Sequence, residues 1–330
     1  MTAVTANPLR VGLVGLARDG WHLIESCSVG GPFRVVAVFD TDPQRESHGT
    51  SLSVPIVSSL DMLTQSPHID VLWVATPMGF ERELAELLVK HDKHVVVETP
   101  LCLSTVAADR AFAAARARGR QLLVHCPRRA DADARRAQSV VDSGELGIVR
   151  AAKWVCWGYG FAPMDVQSRV SDGVDSPRTT LIRLMAHVLD QLVTLLPAAP
   201  LRVFATGALS SGNVPDDSRS LAVSIEFANG ALAEIDIRRD SPAVLQTGWV
   251  LSGQRGGYAA GQRFTLTPEG EVFDSPTSPL EPAEDELTRL ARRLRAAEID
   301  DCEVAHARTV VQLLEAAVKS ASERRAVELR

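Results

Sequence analysis

Gly15, Ala17 and Gly20 carry the first chemical signal of this chain, in the run Val11-Gly12-Leu13-Val14-Gly15-Leu16-Ala17-Arg18-Asp19-Gly20. The run follows a strand-like apolar stretch and opens a helix, and its spacing is a G-x-A-x-x-G form of the dinucleotide fingerprint. In such a turn, backbone N–H groups and a helix N-terminus face a pyrophosphate. Ala17 adds one methyl where a middle glycine normally allows the backbone to approach closely. Asp40 ends the next strand-like run, at the place where a carboxylate bonds ribose hydroxyls and repels a 2′-phosphate. Together these residues predict bound NAD in preference to NADP. The plain alternative is a domain of the same shape with an empty crevice.

Much later in the chain, His187 has Arg183 four residues before it and Asp190 three after it. That spacing puts all three on one face of a helix. The imidazole either serves as an acid or base with Asp190 or Arg183 beside it, or packs as an ordinary half-buried histidine. Arg183 offers a forked clamp for a substrate carboxylate or phosphate, or a salt bridge to Asp190 or Glu81.

The frame that must hold these residues is written in the patterning. Short apolar runs at Arg10 to Leu16, Arg34 to Phe39, Asp70 to Ala75, His94 to Val97 and Gln121 to His125 alternate with amphipathic stretches. The latter are Trp21 to Ser28, Phe80 to Lys90 and Ser104 to Arg118. Continuous apolar strands separated by helices imply a parallel sheet covered on both faces, hence an α/β, doubly wound Rossmann domain over residues 1–125. After Pro127 the texture changes. Helices are predicted over Ala132 to Ser143, Thr180 to Leu196, Glu281 to Ala297 and Glu303 to Ser322, and strands over Val149 to Trp157, Leu221 to Phe227 and Ala231 to Arg238. Asn229-Gly230 marks a hairpin. Residues 126–330 therefore read as an α+β domain with a large, mostly antiparallel sheet, and Asp165 to Pro177 as a polar loop.

Composition narrows the partners. The chain has 330 residues, 45% hydrophobic and 23% charged, with a formal charge of −6. That gives no basic surplus to draw nucleic acid or an anionic membrane, and neither is expected. The five cysteines are scattered without a C-x-x-C pair, and the histidines outside the predicted helix show no ligand spacing, so neither a disulfide framework nor a metal is expected. Cys126 beside His125 reads as a packed strand-end residue more readily than as a nucleophile. No apolar run reaches the roughly 18 residues that span a bilayer. No secretory signal is visible in Met1 to Leu9, so a reducing, cytoplasmic setting is the expectation.

Several stretches resemble one family in order along the chain. They are Val35-Val36-Ala37-Val38-Phe39-Asp40-Thr41-Asp42-Pro43, Asp70-Val71-Leu72-Trp73-Val74-Ala75-Thr76-Pro77 and Lys93-His94-Val95-Val96-Val97-Glu98-Thr99-Pro100-Leu101. Arg128-Arg129, Ser143-Gly144-Glu145-Leu146-Gly147 and Glu315-Ala316-Ala317-Val318-Lys319-Ser320-Ala321 extend the likeness. The chain is similar to the Gfo/Idh/MocA oxidoreductases. The resemblance implies a nicotinamide cofactor held by Gly15, Ala17, Gly20, Asp40, Thr76, Pro77 and Glu98. It also implies a small polar or cyclic substrate held between the domains, and a homodimer or homotetramer built on the C-terminal sheet.

The resemblance breaks where chemistry is done. The lysine of the family's E-K-P motif is Thr99, and the aspartate of its D-x-x-x-H pair is Arg183, while His187 is kept. The asparagine after Thr-Pro is Met78, and the histidine near the next helix is Glu81. Threonine brings neither the charge nor the acidity of lysine, and Arg183, if close, lowers the imidazole pKa. Relatives with altered E-x-P motifs reduce C=N or conjugated C=C bonds, which keeps an oxidoreductase in view. His187, Thr99, Arg183 and Asp190 are the expected catalytic set, with Arg128, Trp157 and Tyr159 lining the substrate. Against these stand a turn role for Thr99 at a cis X-Pro bond, a solvated role for Arg128 and core packing for a tryptophan. A non-catalytic dinucleotide or metabolite sensor of the same fold is the rival function.

Overall fold

The computed structural model of the protein describes residues 7–16, 18–27, 31–42, 54–76, 91–158, 177–207, 209, 220–238, 241, 245–267, 269–270, 272–277, 279–280, 284–296 and 298–329. The first half of the chain holds β1 (Leu9–Val14), α1 (Arg18–Cys27), β2 (Phe33–Phe39), α2 (Leu60–Thr64), β3 (Val71–Val74), β4 (His94–Glu98), α3 (Thr105–Ala117) and β5 (Leu122–His125). A short 3-10 turn (Pro127–Ala130) leads into α4 (Ala132–Asp142), β6 (Val149–Trp157) and α5 (Pro177–Leu195). Then come β7 (Pro200–Gly207), β8 (Ser220–Phe227), β9 (Leu232–Arg238), β10 (Leu245–Gly253), β11 (Gly256–Ala259), β12 (Gln262–Leu266) and β13 (Val272–Pro276). The chain closes with α6 (Glu286–Arg295), α7 (Asp301–Glu323) and β14 (Val327–Glu328).

The chain forms two compact units, Met1–Cys126 with Glu284–Arg308, and Pro127–Ala283 with Thr309–Arg330. In the first, five strands lie in the order β2-β1-β3-β4-β5, every pair parallel. Strand order reverses at β1, between β2 and β3. In open parallel sheets a ligand crevice forms outside the carboxyl ends of the strands at that switch point. The strands are buried through their apolar residues, as helices on both faces require. Segment 284–308, read from the sequence with the second half, packs with the first. α6 carries Leu287, Leu290, Ala291 and Leu294 at i, i+3, i+4 and i+7, and this stripe joins the core of Leu13, Leu23 and Val38. Asp285 caps it by accepting from Thr288 N–H at 3.0 Å.

The second unit is built on a nine-stranded sheet, β13-β12-β11-β10-β6-β9-β8-β7-β14. Only β6 and β9 run parallel among its pairs. The β8–β9 hairpin turns at Asn229-Gly230, where Gly230 takes φ +79° and the Asn229 side chain accepts from Ala231 N–H. β13 and β14 were not anticipated: they are short edge strands whose pairing, not their alternation, makes them strands. Predicted helix Phe80 to Lys90 and the loop from Asp165 lie outside the described residues, apart from the last residue of the loop, Pro177, which begins α5.

α5 is the central helix of this unit. From Thr180 to Leu192 every residue is buried except His187. A helix stretch buried on nearly all sides belongs inside a core, and the one residue outside the buried class between Thr180 and Leu192 is a histidine.

Candidate active site

The glycine turn after β1 is built by close backbone approach. Gly15 has φ +102°, and a Cβ added there would meet Ala75 O at 2.5 Å and Thr76 N at 3.0 Å. A Cβ on Gly20 would meet Gly15 O at 2.3 Å. The two glycines therefore let the turn fold onto α1 and onto the end of β3, which brings Gly15, Gly20 and Thr76 together. Asp40, at the end of β2, joins them: its Oδ2 accepts from Leu16 N–H at 2.6 Å and its Oδ1 from Asp42 N–H at 2.8 Å. Asp40 is only 5% exposed. Its carboxylate thus braces the turn, a duty that the sequence pattern does not announce. A Cβ-free turn at the switch point with a carboxylate at the next strand end fits a dinucleotide. Ala17, Pro77 and Tyr159, expected in the site, lie outside the described residues, as do Met78 and Glu81.

The Glu98-Thr99-Pro100 turn is committed inward. Glu98 is 7% exposed, with Oε1 accepting from Trp73 Nε1–H at 2.8 Å and the His125 Nδ1 3.0 Å from both carboxylate oxygens. Both oxygens of Glu98, a residue expected at the cofactor, thus have partners within the sheet, Trp73 and His125. Thr99 is 4% exposed, and its hydroxyl donates to the His125 carbonyl at 2.7 Å and lies 2.9 Å from Cys126 Sγ. With its proton given to a backbone carbonyl, Thr99 in this arrangement has none to donate to a substrate, and its place is that of the turn residue, before a cis Pro100. Cys126 packs, 3% exposed.

In the second unit the helical face is divided. Arg183 is 5% exposed and His187 half-buried. Asp190, expected beside His187 in the chemistry, instead receives a forked pair of hydrogen bonds from Arg129, Nε and Nη2 both at 2.7 Å. Asp190 is 2% exposed, and so is bound to Arg129 in the core where the sequence left Arg183 as its partner. Gln191 next to it donates to Arg128 O at 2.6 Å and accepts from Trp249 Nε1–H at 2.9 Å. These bonds fasten α5 to the 3-10 turn and to β10, and with them the rotation of the helix that presents His187. Arg128, expected to line the substrate, pairs locally with Asp131, its Nε 2.9 Å from Oδ2. Trp154 pairs in register with Trp249 on the face under α5. Trp157, by alternation, points to the other face, where the Arg238 guanidinium stands 5.1 Å from its ring centroid. Trp157, expected to line the substrate, thus lies on the face opposite Trp154, as strand alternation predicts. Trp73, His125, Arg129 and Gln191 are the partners that sequence reasoning missed.

Among the described residues no cluster of His, Cys, Asp or Glu is arranged to hold a metal, and no helix is long and apolar enough to cross a membrane. Compared with known proteins, residues 9–126 match the model for the oxidoreductase family with an NAD-binding Rossmann fold, and residues 134–259 match the Gfo/Idh/MocA C-terminal domain. A 1-carboxy-3-chloro-3,4-dihydroxycyclohexa-1,5-diene dehydrogenase of Comamonas testosteroni is 28% identical over 144 residues, 43% of this chain and 36% of that protein. The chain thus spans about a third of that relative's length. A 1,5-anhydro-D-fructose reductase of Ensifer adhaerens is 24% identical over 80% of this chain and 79% of that one. Among solved structures, an NAD-binding protein from Listeria innocua superposes with a TM-score of 0.80 at 21% identity, over 98% of this chain and 97% of that one, a likeness of fold. The two family matches together span most of the chain, residues 9–126 and 134–259, and the chain belongs to the Gfo/Idh/MocA family of oxidoreductases.

Proposed function

We propose that this protein is an NAD-dependent oxidoreductase of a small polar or cyclic metabolite, working without the usual lysine. NAD supplies a hydride acceptor, or NADH a donor, at the nicotinamide. Gly15, Gly20 and Thr76 shape the place for the pyrophosphate, and Asp40 takes the adenosine ribose while its charge disfavours NADPH. His187 gives or takes the proton that balances the hydride, and Arg183 binds a polar group of the substrate. The observation that carries this reading is His187 itself, the one residue not buried in a thirteen-residue stretch of α5. Relatives that act on ring-shaped substrates support the substrate class. The deciding experiment is cofactor reduction or oxidation across a panel of cyclitols, sugars and their keto forms, with imines and enones included. NADH binding without transfer to any of these favours a sensor, the reading that the committed hydroxyl of Thr99 supports.

Asp40 gives a separate test. Asp40→Ala is expected to weaken NADH binding and ease NADPH binding, read by calorimetry, because it removes a hydroxyl acceptor and a repelling charge together. It also strips Leu16 N–H of its acceptor, so Asp40→Asn, which keeps an acceptor oxygen, is the cleaner reporter of charge. If neither dinucleotide binds the native protein saturably at millimolar concentration, the cofactor reading is lost.

A homodimer or homotetramer through the outer face of the nine-stranded sheet is part of the proposal. That face carries Lys153–Glu234 and Arg202–Glu226 ion pairs, with Phe204 44% and Leu232 51% exposed among them. Charges already paired within the face leave little net repulsion between two copies, and the apolar residues gain by burial. Light scattering should show a multiple of the 35.6 kDa chain at micromolar concentration. A monomer would contradict it. A reducing cytoplasm suits the free thiols, four of the five buried.

A further inference from the structure

The carboxyl ends of β3, β4 and β5 hold an arrangement that hydride transfer as proposed does not use. Glu98 and His125 are direct partners in the β4–β5 register. Trp73 on β3 completes the group, its ring 5.1 Å from the His125 ring at 72°. The Glu98 and His125 side chains are 10% and 15% exposed. A carboxylate withdrawn from water needs donors and a counter-charge. Trp73 supplies one donor, and the His125 Nδ1, placed between both oxygens, supplies the other only when it carries hydrogen.

The charges that act on His125 come from two elements, β4 and α6. Glu98 is on β4. Glu286 and Arg289 are on α6, where Arg289 holds Glu286 through a forked pair of bonds at 2.7 and 2.9 Å. Glu303, at the start of α7, accepts from Arg289 at 3.0 Å. Glu286 also accepts from Cys126 N–H at 3.3 Å, next to the His125 backbone. Glu98 and Glu286 against the one guanidinium of Arg289 leave a negative balance that an imidazolium reduces. Burial draws the His125 pKa down, but Glu98, by charge and by hydrogen bond, and then Glu286 outweigh it, with Arg289 opposing. The ring is held above its ordinary value.

We infer that His125 is a positioning residue for the cofactor end of the sheet: as an imidazolium it neutralises Glu98 and binds the ends of β3, β4 and β5 into one platform. The inference rests on the dinucleotide reading above. Thr99 is tied to the same platform through the His125 carbonyl. When His125 loses its proton, Glu98 is left as an unbalanced charge beneath a site for an anionic dinucleotide. NADH affinity then falls, by about three- to ten-fold for one charge at intermediate distance and effective dielectric.

The test needs no substrate. Tryptophan emission and NADH affinity by calorimetry are followed from about pH 6 to 9.5, a range that brackets the upper side of histidine titration. The proteins are native, His125→Asn, Glu98→Gln and Trp73→Phe, each checked for folding by thermal melting. A charged imidazole in contact with an indole quenches it, so native emission should rise with a midpoint above about 6.5, and NADH affinity should drop across the same midpoint. His125→Asn keeps an N–H for Glu98 without a charge and should show neither step. Trp73→Phe should lose the emission step alone. If His125→Asn fails to fold, Glu98→Gln serves: with its counter-charge gone, the His125 midpoint should move down and the affinity step leave this range. An emission step with pH-independent NADH affinity, or no emission step, overturns the inference. If NADH binds at no pH, the cofactor reading falls and this inference with it, while the emission step still reports the ion pair.

Discussion

Turnover is expected to fall by about 10²–10⁴-fold when His187 is replaced by alanine, with NADH affinity nearly intact, the usual loss for a general acid or base. The expectation follows from place and from type. α5 is buried from Thr180 to Leu192 on every side but the one that His187 occupies, so a molecule that reaches this stretch reaches an imidazole. Imidazole is the side chain whose ordinary pKa lies nearest neutrality, which suits it to pass a proton in either direction. The measurement is nicotinamide absorbance against time for native and variant protein on a substrate found by panel, with NADH affinity read in parallel. Full activity in His187→Ala would move the acid elsewhere, to Tyr159 or to the substrate itself. A loss of NADH affinity equal to the loss of rate would mean that the substitution disturbs the fold and not the chemistry.

Asp190→Ala is expected to cost stability more than chemistry. Asp190 is 2% exposed and receives two bonds from Arg129, whose side chain is 19% exposed. Asp190→Ala takes from Arg129 both bonds of this buried pair, and breaking such a pair costs about 3–5 kcal/mol. A cavity of about 420 Å³ borders Arg129 and Gln191, so solvent reaches the guanidinium from one side and the lower end of that range applies. About 3 kcal/mol corresponds to roughly 6–12 °C in melting temperature for a unit of this size. Pairing it with Arg129→Ala should cost less than the two single changes added, because both changes remove the same pair of bonds. Calorimetric melting of the four proteins measures both. An Asp190→Ala protein that melts like the native one yet has lost turnover would return Asp190 to the catalytic set.

The candidate site shows where legibility stopped. Spacing of three and four residues puts Arg183, His187 and Asp190 on one helical face, and the structure keeps them there on α5. Spacing does not say which of them meets solvent. Arg183 and Asp190 are buried and His187 is not, because the helix lies inside a unit whose other segments come from far along the chain. The same holds for partners. Arg129 reaches Asp190 across 61 residues, His125 reaches Glu98 across 27, and Cys126 N–H reaches Glu286 across 160. Each pair joins groups that a linear reading sees as ordinary charges.

The sequence by itself determined the element types and most of their limits, because apolar periodicity and turn residues act within a few positions. Continuous apolar runs became the parallel strands β1 to β5, and Val149–Trp157 became a strand over the expected span. Gly15, Gly20 and Asp40 marked the turn after β1 because each meets a local backbone demand: positive φ, absence of a Cβ, a carboxylate at a strand end. Tertiary structure alone decided that Asp40 also braces Leu16 and that Glu98 and Thr99 turn inward. It also sent segment 284–308 back to the first unit, where Leu290, Ala291 and Leu294 fill the core. An amphipathic stripe states that a helix must bury one face, and only the packed chain settles against what, since hydrophobic burial has magnitude but no address.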